Sequence, residues 1–93
     1  MTIEKGRGFE KKLDAVLDFI ARDSLSAALD FLARLETRLY TIPDMPYKFR
    51  KSIYFDNEHI RDYIFKGYVI PYFVDHTREK IILLGIVKYQ EEL

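Results

Sequence analysis

The chain contains no cysteine and no tryptophan, only three prolines and four glycines, and no surplus of either charge. Without cysteine there can be no disulfide, no thiolate metal site and no thiol nucleophile. That absence is compatible with a reducing cytoplasm, so a cytoplasmic location is expected. No apolar run approaches the roughly 20 residues needed to cross a bilayer, and no membrane partner is expected. Glu4, Lys5, Arg7, Glu10, Lys11 and Lys12 leave no room for the apolar segment of a secretory leader. The net charge is zero, whereas a dedicated nucleic-acid binder usually carries a basic excess. The two histidines, His59 and His76, lack the spacing of a metal cluster. No Walker loop, dinucleotide fingerprint, zinc pattern or nucleophile elbow occurs, so no metal or other cofactor is expected.

What is present is a chain of 93 residues, the size of one domain around one core, rich in aromatics with seven Tyr and seven Phe. Aromatic side chains suit a pleated, half-buried surface and favour sheet. Met1–Lys5 reads as a short edge strand, punctuated by Gly6 and Gly8. Phe9, Leu13, Val16, Leu17 and Ile20 then recur at helical spacing, with Lys11, Lys12, Asp14 and Asp18 opposite. Asp23-Ser24 interrupts this helix, and Ser24 or Ser26 can cap a second one. Ala28, Leu32, Leu35, Leu39 and Ile42 form its stripe, which Leu25, Leu29 and Phe31 widen, and Pro43 ends it. So short a break predicts an antiparallel helical hairpin.

From Ile60 the pattern changes. Ile60–Phe65 and Tyr68–Val74 read as strands joined by a two-residue turn at Lys66-Gly67. A loop at 75–79 leads to a third strand over Lys80–Val87. Its run of apolar residues predicts a central or well-covered position. Pro71 sits inside the middle strand and predicts a bulge or a gap in pairing. The fold class is therefore α+β: residues 1–93 form a single domain in which an N-terminal helical hairpin packs on a small antiparallel sheet.

Three polar groupings could carry function. Lys88-Tyr89 lies where the last strand leaves the sheet. A lysine can offset phosphate charge there, and a tyrosine can relay a proton or stack on a base. Arg61 could clamp a phosphate, although an arginine so placed more often pairs with a carboxylate such as Asp62 or Glu58. Lys48, Arg50 and Lys51 put three cations in four residues and could meet an acidic partner or nucleic acid. On spacing alone, each grouping reads more often as solvated surface than as a site.

Ser24-Leu25-Ser26-Ala27-Ala28-Leu29-Asp30-Phe31-Leu32-Ala33-Arg34-Leu35, followed by Leu39, Ile42, Pro43 and Pro46, resembles the second helix of the RelE/ParE toxin superfamily. Arg61, Gly67-Tyr68-Val69-Ile70-Pro71-Tyr72 and the apolar 81–87 resemble that family's arginine, its glycine-tyrosine hairpin and its last strand. The resemblance spans nearly the whole chain and implies a toxin of a bacterial type II toxin–antitoxin pair, with a cognate antitoxin protein as partner.

Two activities live on this fold. ParE-like members inhibit DNA gyrase by binding it. RelE-like members cut mRNA in the ribosome, using basic residues near the hairpin and the last strand. For the second activity the resemblance implies Lys88, Tyr89 and Arg61 as catalytic residues. Yet Val69 stands where RelE-like chains carry an arginine, and a β-branched apolar side chain cannot hold a phosphate. The neutral charge also disfavours ribosomal RNA. The expectation is a ParE-like gyrase inhibitor. A ribosome-dependent mRNA endonuclease is the alternative, and a degenerate, non-toxic member the second alternative. Lys48, Arg50 and Lys51 are the expected partner contacts. A homo-oligomer stays open, as does the role of the acidic pair Glu91-Glu92.

Overall fold

A computed structural model describes residues 1–89. Strand β1 (Thr2–Lys5) leads into helices α1 (Arg7–Asp23) and α2 (Leu25–Leu39), then a 3-10 turn over Ile42–Asp44. Strands β2 (Ile60–Phe65), β3 (Tyr68–Asp75), β4 (Lys80–Leu83) and β5 (Val87–Lys88) follow. Ser24 separates the two helices and caps the second, its hydroxyl oxygen accepting from the Ala27 N–H at 3.1 Å. The helices pack as the expected hairpin against one face of the sheet. Ala28, Phe31, Leu35 and Leu39 of α2 are buried, with Phe9 and Leu13 of α1, against Tyr63, Phe65, Ile70, Tyr72, Val74, Ile81 and Leu83.

The sheet runs β1-β4-β3-β2. The expected hairpin and return strand are antiparallel, Phe65 facing Tyr68 and Ile60 facing Phe73. The edge strand β1 joins β4 in parallel, which makes the sheet mixed. A parallel neighbour needs a long crossover, and the two helices with the first hairpin supply it. At the end of β1, Gly6 donates its N–H to the Leu83 carbonyl at 2.9 Å. Beside β1, Lys5 reaches Glu36 on α2 at 2.7 Å.

The expected continuous third strand, Lys80–Val87, is instead two pieces. Tyr72 pairs with Leu83, whereas Val69 pairs with Val87, so the three residues 84–86 face the two residues 70–71. This is a β-bulge, and Pro71 is its cause. A strand residue points its N–H and C=O toward the same neighbour. The Pro71 carbonyl accepts from Leu84 at 2.8 Å, so the donor that proline lacks would have faced this same segment. The ladder with β2 on the other side is unbroken.

Leu25 and Leu29, expected to widen the stripe of α2, are instead 66% and 59% exposed. At about 100° per residue Leu29 stands a quarter turn away from Ala28, beyond the reach of the sheet.

Tyr72 is fully buried and donates its hydroxyl to the Pro46 carbonyl at 2.6 Å, which ties the sheet centre to the loop after α2. Burial pushes its phenol well above the usual range. Arg61 opposes this, while Asp62 and Tyr47 add to it. The Lys5 ammonium is also raised, chiefly by its bond to Glu36. For both groups the raised folded value means that stability is fully present below the unfolded pKa, roughly 10, and is lost above it. The melting temperature should therefore hold to about pH 10 and then fall, with Tyr72 alone contributing up to about 1.4 kcal/mol per pH unit. In Tyr72→Phe that part of the alkaline slope should vanish. Parallel melts of both proteins between pH 8 and 11.5 check this, and equal slopes would reject it.

Candidate functional site

Lys88 and Tyr89 are held beside the hairpin turn. Lys88 pairs with Tyr68, and the Tyr89 N–H donates to the Gly67 carbonyl at 2.7 Å. Directly paired residues share a face of the sheet, so Lys88 lies on the helix side with Tyr68. There the two residues line a shallow groove with Lys12, Ala15, Val16 and Phe19 of α1. Two lysines thus flank an apolar floor, and among the described residues no carboxylate or imidazole lines the groove. Tyr89 is exposed. The acidic pair Glu91-Glu92 lies outside the described residues.

Arg61 sits at the opposite end of the hairpin. It faces Tyr72, four residues along β3 from Tyr68, or roughly 13 Å at about 3.3 Å per residue. It pairs with no carboxylate among the described residues. Its Nε donates to the Glu58 carbonyl at 3.0 Å and its Nη1 to the Phe49 carbonyl at 3.2 Å, while the guanidinium lies 4.9 Å from the centroid of the Tyr47 ring. Adjacent strand residues point to opposite faces, which keeps the Asp62 carboxylate from it. Arg61 therefore staples the 47–58 segment to the sheet.

The basic segment is divided among different tasks. The Asp62 N–H donates to the Arg50 carbonyl and the Ser52 N–H to the Ile60 carbonyl, so residues 50–52 cover the outer edge of β2. Arg50 is committed to Asp62, with Nε and Nη2 both 3.2 Å from Oδ2. Lys51 reaches Asp56 at 3.8 Å, between two exposed side chains. Lys48 rests near the Phe49 ring and has no carboxylate partner among the described residues. Of the three expected partner contacts it is the one with an uncommitted charge.

A further cluster brings together residues that look unrelated along the chain. The Tyr47 hydroxyl lies 2.7 Å from His59 Nδ1 and 2.7 Å from His76 Nε2. Its ring stacks on His76 and meets His59 edge-on. The signal was in the hairpin register. A two-residue turn at Lys66-Gly67 sets His59 opposite Val74, two residues from His76, and the Val74 N–H indeed donates to the His59 carbonyl. Tyr47 carries no comparable signal.

Val69 is fully buried, so a hairpin position that could have presented a cation to solvent presents none. The sequence profile described as "ParE toxin of type II toxin-antitoxin system, parDE" matches residues 4–92, almost the whole chain. The chain belongs to the ParE toxin family. This ParE-family chain is thus the toxin component of a type II toxin–antitoxin system, the side of the superfamily toward which Val69 and the neutral charge lean. Among solved structures, the "Chromosomal ParDE TA system from P. aeruginosa" shares its fold, with a TM-score of 0.79 over 97% of each chain at 17% identity. A search of curated proteins finds no match. No helix among the described residues of this ParE-family toxin is long and apolar enough to cross a membrane.

Proposed function

We infer that this toxin acts by binding and inhibiting DNA gyrase in the cytoplasm and that a cognate antitoxin neutralises it. The observation that carries this reading is the separation of the groups an RNA-cleaving site would need. Lys88-Tyr89 and Arg61 stand at opposite ends of the hairpin, two of the five Arg61 donors are taken by backbone carbonyls, and Val69 is apolar and buried. Stabilising a pentavalent phosphate requires donors converging on one point. Lys48, Arg50 and Lys51 are read as contacts to acidic partner surface, with Lys48 the main contributor.

Purified toxin should abolish gyrase supercoiling of relaxed plasmid, and added antitoxin should restore it. Full supercoiling at stoichiometric excess, together with mRNA cleavage on translating ribosomes, would overturn the reading in favour of the endonuclease. In growing bacteria, a Lys88→Ala/Tyr89→Phe variant should still arrest growth at the expression level where the wild type does. Loss of arrest by a variant that remains folded would return those residues to a catalytic role.

A further inference from the structure

Three side chains from three separate segments converge on one point. Tyr47 comes from the loop after the 3-10 turn, His59 from the residue before β2, and His76 from the link between β3 and β4. One nitrogen of each imidazole is aimed at the same phenol oxygen, 2.7 Å from each. A neutral phenol has one proton to give, so one imidazole must accept it while the other donates to the oxygen. At least one imidazole lone pair therefore already points at that spot, and the second does so as soon as its tautomer changes. We propose that Tyr47 Oη, His59 Nδ1 and His76 Nε2 form a binding site for a single Zn²⁺ or a closely similar borderline divalent transition metal.

Two imidazoles and one phenolate are a nitrogen–oxygen donor set suited to such ions and not to Mg²⁺ or Ca²⁺, which prefer oxygen alone. Binding exchanges the phenol proton, which passes to solvent, for the metal ion. No oxidant or further reactant is involved. With metal–ligand bonds of about 2.0–2.1 Å, tetrahedral ligand atoms stand about 3.3 Å apart. The two N···O spacings must therefore open by roughly 0.6 Å and each imidazole must swing off the oxygen toward the ion; all three side chains are exposed, which leaves room for that movement. A fourth position would be left to water, as in open three-ligand zinc sites.

Arg61 faces the Tyr47 ring and not its oxygen. It fixes the ring plane without taking the lone pairs, while its charge limits the affinity. An anion site fits the cluster less well, because the ring nitrogens not aimed at Tyr47 point away from the shared oxygen. Proton-transfer catalysis fits less well too, since the groove beside Lys88 does not include these three residues.

The test is a calorimetric titration of the untagged chain with ZnCl₂ at pH 7.5, run beside a titration with Co²⁺ followed by visible absorption. The expected results are one ion per chain and the intense bands of four-coordinate cobalt. Losing even a residue behind a metal ligand costs 10–100-fold in affinity, so His76→Gln or Tyr47→Phe should each weaken binding by about tenfold or more. The His59→Gln/His76→Gln variant should not bind. Melting curves in the absence of metal establish that the variants are folded. On the wild type, ¹⁵N shifts of both imidazoles should move on zinc addition, a readout that needs no variant. Absence of binding at millimolar Zn²⁺, undiminished affinity in the double histidine variant, or undiminished affinity in Tyr47→Phe would each overturn the three-ligand site.

Discussion

Replacing Asp62 with alanine should destabilise the fold by about 3 kcal/mol, near the lower end of the cost of breaking a buried ion pair from one side. The Asp62 side chain is fully buried, while its partner Arg50 is 38% exposed. Oδ2 alone accepts from Arg50 Nε, Arg50 Nη2 and the Ile53 N–H at 3.1 Å. Alanine would leave the Ile53 amide without its acceptor and the guanidinium without its counter-charge. Solvent can recover part of the second loss, because Arg50 reaches water. Oδ1 has no hydrogen-bond partner among the described residues. Asparagine, with its oxygen in the Oδ2 position, should therefore cost less, about 1–2 kcal/mol. For a chain of this size each kcal/mol shifts the midpoint by about 4–8 °C, so melting curves separate the two variants. Alanine and asparagine melting together would show that a neutral oxygen in the Oδ2 position recovers nothing and that the whole loss lies with the charge. Because Arg50 is one of the expected partner contacts, Asp62→Ala should also loosen residues 50–53, and hydrogen exchange there should rise ahead of the core.

A comparable loss is expected from a single ring in α1. Phe9 is fully buried and belongs to the core; Phe19, ten residues on in the same helix, is 61% exposed. Phe9→Ala should cost about 3–5 kcal/mol, the sum of lost apolar burial and the cavity left behind. Against a typical total of about 5–15 kcal/mol, that puts the chain close to unfolding at growth temperature. Phe19→Ala removes the same atoms from near the groove beside Lys88 and should change stability by no more than about 0.5 kcal/mol. Urea unfolding of the pair checks both values with residue type and helix held constant. If Phe19→Ala instead abolishes gyrase inhibition while the fold is unchanged, the groove between α1 and β5 is the partner-facing surface.

Periodicity revealed whatever depends on one element facing one core. Phe9, Leu13, Ala28, Leu35 and Leu39 were legible because helical spacing reports burial directly. The hairpin turn and its register were legible because Lys66-Gly67 is short enough to impose a pairing, although the return strand runs one residue further, to Asp75. What escaped depends on the third dimension. The parallel pairing of β1 with β4 joins residues some eighty positions apart, and no local pattern encodes it. The run Ile81–Val87 looks uniform because apolar content does not reveal where a proline opposite withholds a donor. Arg61 read as a phosphate clamp or a surface ion-pair partner because its two true acceptors are backbone carbonyls, which every residue carries. The grouping of Tyr47 with His59 and His76 follows from a register and a loop path together, and only the register was readable.

The bulge opposite Pro71 also acts as a parity switch. Strand side chains alternate, so the single added residue among 84–86 inverts the phase of everything beyond it. Counted straight on from Leu83, position 87 would turn toward the helices and position 88 away. As built, Ile86 enters the core and Lys88 joins Tyr68 on the helix side, leaving Val87 on the other face. Closing the bulge with every residue kept would turn Val87 toward the helices and Ile86 and Lys88 away, whereas deleting Gly85 would leave all three opposite their present β3 partners and on their present faces. In a toxin with an antitoxin partner, the extra residue that Pro71 requires thus decides which side chains the end of the sheet presents on each face.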